Sequence, residues 1–149
     1  MRAVVQRVDG ASVHVAGKTI SEIPYGLMVL IGVESGDEER DAQWISDKLL
    51  HLRIFEDDEG KMNQDLFDAG GELLLVSQFT LLGDARKGRR PSFVRAERGE
   101  AADTLFQQVV QHCRAAGASV QTGQFGAHMR VELVNDGPVT ILLDSHRQF

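Results

Sequence analysis

The sequence predicts an α+β fold: a bent, barrel-like, mainly antiparallel β-sheet with two helices packed against it. Three observations carry this. Apolar segments follow the order strands, helix, strand, helix, strands. Two of them repeat at helical spacing, while the others alternate or run apolar over short stretches. Gly-containing turns separate them at regular intervals. The 149 residues match one domain, read here as residues 1–149, and suffice to bury a core.

"MRAVVQRV", Met1–Val8, reads as the first strand. Asp9-Gly10 then predicts a tight hairpin into "ASVHV". Another short strand precedes Pro24. "LMVLIGV", Leu27–Val33, is apolar on both faces and belongs in the middle of a sheet. Ser35 and Glu38 have the spacing of a capping box. Ile45, Leu49 and Leu52 follow at helical spacing, so a helix is expected from about Glu38 to His51. "EDDEGK" is a polar turn and "ELLLVSQF" a second buried strand. Leu105, Phe106, Val109, Val110 and Cys113 form the apolar stripe of a second helix, which Gly117 terminates. "MRVELV" alternates as a half-buried strand, and "VTILL" after Pro138 is read as a further one.

Composition narrows the function classes. Hydrophobic residues make up 42% and charged residues 26%, which suits a soluble globular chain. Its longest apolar run, Leu27–Ile31, is too short to cross a bilayer. "MRAVVQRVDG" lacks the apolar core of a signal peptide, so a cytoplasmic protein is expected and no membrane partner. Cys113 has no partner for an internal disulfide and lies on the helix stripe, where it reads as a small core residue. His14, His51, His112, His128 and His146 are scattered without zinc-like spacing; no metal is expected. The net charge of -6 argues against non-specific coating of nucleic acid. It leaves room for a local patch at Arg86, Lys87, Arg89 and Arg90, extended by Arg95 and Arg98. On charge alone that patch is either a solvated loop or a phosphate-binding surface.

The chemistry concentrates in two segments. In the first, Ser77, Gln78 and Thr80 interrupt the end of a buried strand, separated only by Phe79. If Val76–Thr80 is extended, Gln78 and Thr80 point one way and Ser77 and Phe79 the other. A buried hydroxyl or amide without a partner costs roughly 1–3 kcal/mol. These side chains therefore either cap the strand end or line a pocket for a polar substrate. The Gly-x-Ser-x-Gly elbow is absent and no histidine lies close in sequence, so nothing nominates a base for a Ser or Thr nucleophile. In the second segment, "VNDGPVT", Gly137-Pro138 lies between two apolar runs. A simple β-turn is the ordinary explanation. A cis X-Pro bond, which is energetically accessible, would instead turn the Gly137 and Pro138 carbonyls the same way, as paired acceptors for an ammonium group.

"SQFTL" at Ser77–Leu81 together with "NDGPVT" at Asn135–Thr140 resembles the D-aminoacyl-tRNA deacylases. The resemblance extends over essentially the whole chain, including "MRAVVQRV", "GLMVLIGV", "KLLHLRIFEDDEGKMN" and "GRRPSF". It implies that family's fold, no cofactor, and a homodimer with active sites at the subunit interface. The implied reaction is hydrolysis of the ester between a D-amino acid and the 3′-terminal adenosine of tRNA, with glycyl-tRNA also a substrate: chirality proofreading in trans. Ser77, Gln78, Phe79 and Thr80 match the catalytic motif. Gly137 and Pro138 match the Gly–cis-Pro motif that reaches into the partner's pocket and rejects L-amino acids. "FGAHM" matches a pocket-lining segment less specifically, with Phe125 and Met129 as its candidates. Arg86, Lys87, Arg89 and Arg90 then become candidates for tRNA phosphates. Apart from the resemblance, two other classes fit: a small-molecule ester or amide hydrolase using Ser77 or Thr80, and a non-catalytic RNA-binding module built on the basic loop.

Overall fold

One strand organises the sheet. β1 (Arg2–Val15) lends one edge to two partners in tandem and the other edge to a single long strand. Along the first edge, β3 (Gly26–Gly32) pairs with Arg2–Val8, and β2 (Lys18–Ile23) pairs with Ala11–Val15, both antiparallel. Along the second edge runs β8 (Arg130–Asp144), also antiparallel, from Arg2↔Asp144 to His14↔Arg130. β6 (Glu72–Ser77) joins β3 in parallel and β7 (Val120–Thr122) joins β6 in parallel. β2 folds back against β6 and β7, so the mixed sheet curls into a nearly closed barrel. β4 (Phe55–Glu56) and β5 (Met62–Gln64) form a separate small hairpin around the "EDDEGK" turn. The computed structural model describes all residues, Met1–Phe149.

The apolar strands are apolar on both faces because each face has a core to meet. Leu73 and Leu75 of β6, with Val5, Leu27, Val29 and Ile31, face the helices. Leu74 and Val76, with Val8, Val13, Ile23 and Met28, fill the barrel interior. Helix α1 (Glu39–His51) contributes Ile45 and Leu49 to the larger core, and α2 (Gly99–Ala115) contributes Phe106, Val109, Val110 and Cys113. Each fully buried Val or Phe of that stripe is worth about 1.5–3 kcal/mol. Burial pushes the Cys113 thiol up to about 11, so it stays neutral and inert.

Three local expectations are corrected. Asp9-Gly10 is not a hairpin. β1 continues through it, and the chain bends there, with Gly10 at a φ of 120° and the β8 register slipping between Val8 and Ala11. The reversal comes later, at Ala16-Gly17. The capping box is Glu38 with Asp41 rather than Ser35 with Glu38: the Asp41 carboxylate accepts the Glu38 amide at 2.9 Å. Residues 34–37 are already committed to a turn, in which the Glu34 amide donates to Asp37 at 2.6 Å and the Ser35 hydroxyl bonds Glu97. "MRVELV" and "VTILL" are one strand, β8, interrupted by a bulge. Gln6 pairs with Thr140 and Val8 with Asn135, which leaves residues 136–139 looped out opposite Arg7.

Candidate active site

Strand β6 ends where the polar residues begin. Ser77 is its last residue, opposite Ile31, and the Gln78 amide still donates to the Ile31 carbonyl at 2.7 Å. The chain then tightens into a 3-10 turn, Phe79–Leu82, which carries Leu82 into the interior. The extended arrangement of Val76–Thr80 is therefore replaced. Ser77 and Gln78 are half-buried, while Phe79 and Thr80 are exposed. The Gln78 amide nitrogen donates to the Thr80 hydroxyl. Phe79 rests edge-on against Phe93, with ring centres 5.3 Å apart, yet is 51% exposed, which rules out a role as a core aromatic.

Ser77, Gln78 and Phe79 form one wall of a cavity of about 610 Å³. Phe125–Met129 form another, and Ala102 and Phe106 of α2 supply an apolar floor with Ile31, Val33, Val76 and Val131. Phe125 leans on Phe106 at 6.5 Å between ring centres. The catalytic candidates Ser77, Gln78 and Phe79 thus meet the lining candidates Phe125 and Met129. Thr80 lies outside this lining. Glu97 and Phe93, not singled out from sequence, also border the cavity, as do Arg98, read there as an extension of the basic patch, and His128 of "FGAHM". Glu97 is engaged by the Ser35 hydroxyl and the Arg98 amide. Neither the Ser77 nor the Thr80 hydroxyl bonds an imidazole or a carboxylate, so no nucleophile–base pair is assembled.

Gly137 and Pro138 sit elsewhere. Their peptide bond is cis, and both are exposed at the tip of the β8 bulge. The bulge lies opposite Arg7, which pairs with Leu27, whereas Ser77 pairs with Ile31. Four residues along β3 and three strand spacings across the sheet separate them, on the order of 13 Å and 14 Å respectively. Neither residue lines the cavity of its own chain.

What fixes the corner is Arg7, a residue that sequence reading passed over. It shares the helix-facing side of β1 with Ala3 and Val5 and is 4% exposed. Its guanidinium donates to the Ile54 carbonyl at 2.8 Å and the Asp136 carbonyl at 3.3 Å, and pairs with the Asp136 carboxylate at 3.0 Å. Asn135 closes the bulge, its side-chain Oδ1 accepting the Val139 amide at 2.9 Å while its Nδ2 donates to the Gln6 side chain at 2.7 Å. The signal was available: an arginine in phase with buried alanine and valine needs partners.

The basic residues occupy a loop closed by the Asp84↔Ser92 bridge. Within it Arg86 is not free. It pairs with Asp84 through two nitrogens, at 2.9 and 2.6 Å. That side-chain contact, with the Arg86 amide, holds the Asp84 carboxyl well below the usual range. Lys87, Arg89 and Arg90 are exposed and meet no carboxylate. The only grouping with metal-like composition, Asp37, Asp41 and His146, lies away from the cavity, and Asp37 there accepts the Met1 ammonium at 2.6 Å and His146 at 2.7 Å. No helix is long and apolar enough to cross a membrane.

Known proteins match the whole chain. The family model described as D-Tyr-tRNA(Tyr) deacylase matches residues 4–144. A D-aminoacyl-tRNA deacylase of Natranaerobius thermophilus is 57% identical over 150 residues, covering all of both chains. One from Clostridioides difficile is also 57% identical over the full length of both. Among solved structures, one described as c-Myc DNA Unwinding Element Binding Protein superposes with a TM-score of 0.91 at 40% identity, covering 97% of this chain and 98% of that one. Another, a probable eukaryotic D-amino acid tRNA deacylase, gives a TM-score of 0.80 at 21% identity over 95% and 97% of the two chains, a likeness of fold alone. Fold and matches together define a hydrolase acting on charged tRNA. The chain belongs to the D-aminoacyl-tRNA deacylase family.

Proposed function

We propose that the chain, as one deacylase domain over residues 1–149, proofreads chirality in trans in the cytoplasm, hydrolysing D-aminoacyl-tRNA and glycyl-tRNA and rejecting L-aminoacyl-tRNA. The observation that carries this is the cavity itself: a polar strand end facing Phe125 and Met129 with no side-chain nucleophile–base pair. Such a site suits an ester that is already activated. The first amides of a helical turn have no partner within it, so those of Phe79 and Thr80 can meet an oxyanion. One such donor is worth roughly 2.7–4 kcal/mol. The ribose 2′-hydroxyl beside the ester positions or activates the attacking water. Thr80→Ala should accordingly turn over at a near-normal rate in single-turnover deacylation; a collapse in rate would favour a covalent Thr80 route.

Handedness requires three fixed points. The Gly137 and Pro138 carbonyls hold the ammonium and crowd the L direction, and they do so from a neighbouring protomer, since neither residue lines the cavity of its own chain. Support for a homodimer comes from β8, which pairs only with β1 and exposes Val134 and Leu142. Matched D- and L-tyrosyl-tRNA incubated with the protein test the reading: comparable cleavage of both enantiomers would sink it. A small-molecule hydrolase would act on simple esters without RNA, and an RNA-binding module would leave the ester intact.

Lys87, Arg89 and Arg90 contact acceptor-stem phosphates without reading bases. Replacing Lys87 and Arg89 with Gln should weaken tRNA binding and lower the slope of log affinity against log salt by roughly 0.7–0.9 for each phosphate left unneutralised. Arg86→Gln should instead loosen the loop, because its charge is already matched by Asp84. An unchanged salt series for Lys87 and Arg89 would return the loop to a solvated surface.

A further inference from the structure

We propose that Arg2 is a positioning residue for deacylation: its guanidinium holds the end of the 3-10 turn that presents Phe79 and Thr80. This rests on the assignment of that turn to the reaction. Arg2 opens β1, pairing with Gly32 of β3 on one side and Asp144 of β8 on the other. Ser77 lies one strand further on, beside Ile31. From there Arg2 addresses three acceptors. Nη1 donates to the Leu81 carbonyl at 3.2 Å, Nε to the Asp144 carboxylate at 3.1 Å, and Nη2 to the Gln148 side-chain carbonyl at 3.2 Å.

Each partner is itself fixed. The Asp144 side chain is fully buried, and its other oxygen accepts the His146 amide at 2.7 Å. Gln148 also accepts from Arg95 at 2.7 Å, and Arg95 is tied to Glu34 at 2.6 Å. The Arg2 guanidinium further lies over the Phe149 ring, 5.7 Å from its centre.

The need for such a brace follows from the turn. A four-residue 3-10 segment has weak internal hydrogen bonding, and its last carbonyls lack partners within it. Gly83 satisfies the Thr80 carbonyl at 3.0 Å, and Arg2 satisfies the next one, Leu81. Slack at Leu81 reaches Thr80 and Phe79 directly along the chain. A planar fork reaches the three acceptors at once; a lysine ammonium in the same place cannot reproduce that geometry.

The test compares wild type with Arg2→Met, Arg2→Lys and Gln148→Ala in steady-state and single-turnover deacylation of D-tyrosyl-tRNA, with the folded fraction of each followed by near-UV circular dichroism. Arg2→Met is expected to lose about 100-fold in kcat with KM essentially unchanged, the signature of a displaced reacting geometry. Arg2→Lys should restore little of it. Gln148→Ala, which leaves the Asp144 pair intact, should lose on the order of tenfold in the same direction. Wild-type kcat in folded Arg2→Met overturns the inference. So does a rate loss that merely mirrors the unfolded fraction, or a rise in KM at constant kcat. If Arg2→Met does not fold, unchanged kcat in Gln148→Ala overturns it. Wild-type protein inactive on D-tyrosyl-tRNA would overturn the deacylation reading instead, and this inference with it.

Discussion

Gly137→Ala is expected to cut kcat/KM for D-tyrosyl-tRNA by on the order of 100-fold while leaving the protein folded. Gly137 has a φ of 124°, a region that side-chain-bearing residues rarely adopt. An added Cβ would lie 2.7 Å from Val139 Cγ2 and 3.1 Å from the Val139 amide nitrogen, with the Arg7 guanidinium at 3.3 Å. Val139 is buried and Arg7 is locked on Ile54 and Asp136, so neither can give way freely. The corner must move, and its carbonyls with it. Because Gly137 itself is exposed at a bulge tip, the core is spared. Parallel assays on D- and L-tyrosyl-tRNA read the outcome. If D-cleavage and L-rejection both survived, this corner would not shape the site.

Phe106→Ala should produce the largest loss of stability, about 3–5 kcal/mol by denaturant titration. Phe106 is 2% exposed, belongs to the α2 stripe, and floors the cavity beneath Phe125. Truncation leaves a void that opens into the existing cavity rather than closing, since α2 is held along its length by Val109, Val110 and Cys113. For a chain of this size, several kcal/mol corresponds to a fall in melting temperature on the order of 10 °C. A loss under about 1 kcal/mol would mean that the cavity floor repacks readily and is not a rigid surface.

Element type was legible in the sequence; the path of the chain between elements was less so. Both helices were announced by their stripes, and Leu27–Ile31 by its unbroken apolarity. Local turn chemistry misled at Asp9-Gly10, because a glycine at positive φ bends a long strand as readily as it reverses a short one, and only the pairing with β8 decides which. Pro138 misled in the same way: a proline in a looped-out bulge need not end a strand. The Ser77–Phe79 wall was legible because polar residues in a buried strand demand a reason. Glu97 and Phe93 were not, since nothing in their own stretch sets them apart and only the fold carries them to the cavity; Arg98 stood out as a charge, not as a cavity residue. Arg7 and Arg2 each bond main-chain carbonyls distant in sequence, those of Asp136 and Leu81, and such bonds leave no motif.

The pairing of Arg2 with Asp144 also has a consequence for biosynthesis. The strand that pairs with β2, β3 and β8 precedes all the others of the barrel in sequence, and the strand along its second edge follows them. The barrel cannot close until Arg130–Asp144 has followed Arg2–Val15 out of the ribosome, a delay on the order of 10 s at ordinary elongation rates. Throughout that interval one edge of β1 is bare. Its shielding then falls to whatever meets the emerging polypeptide.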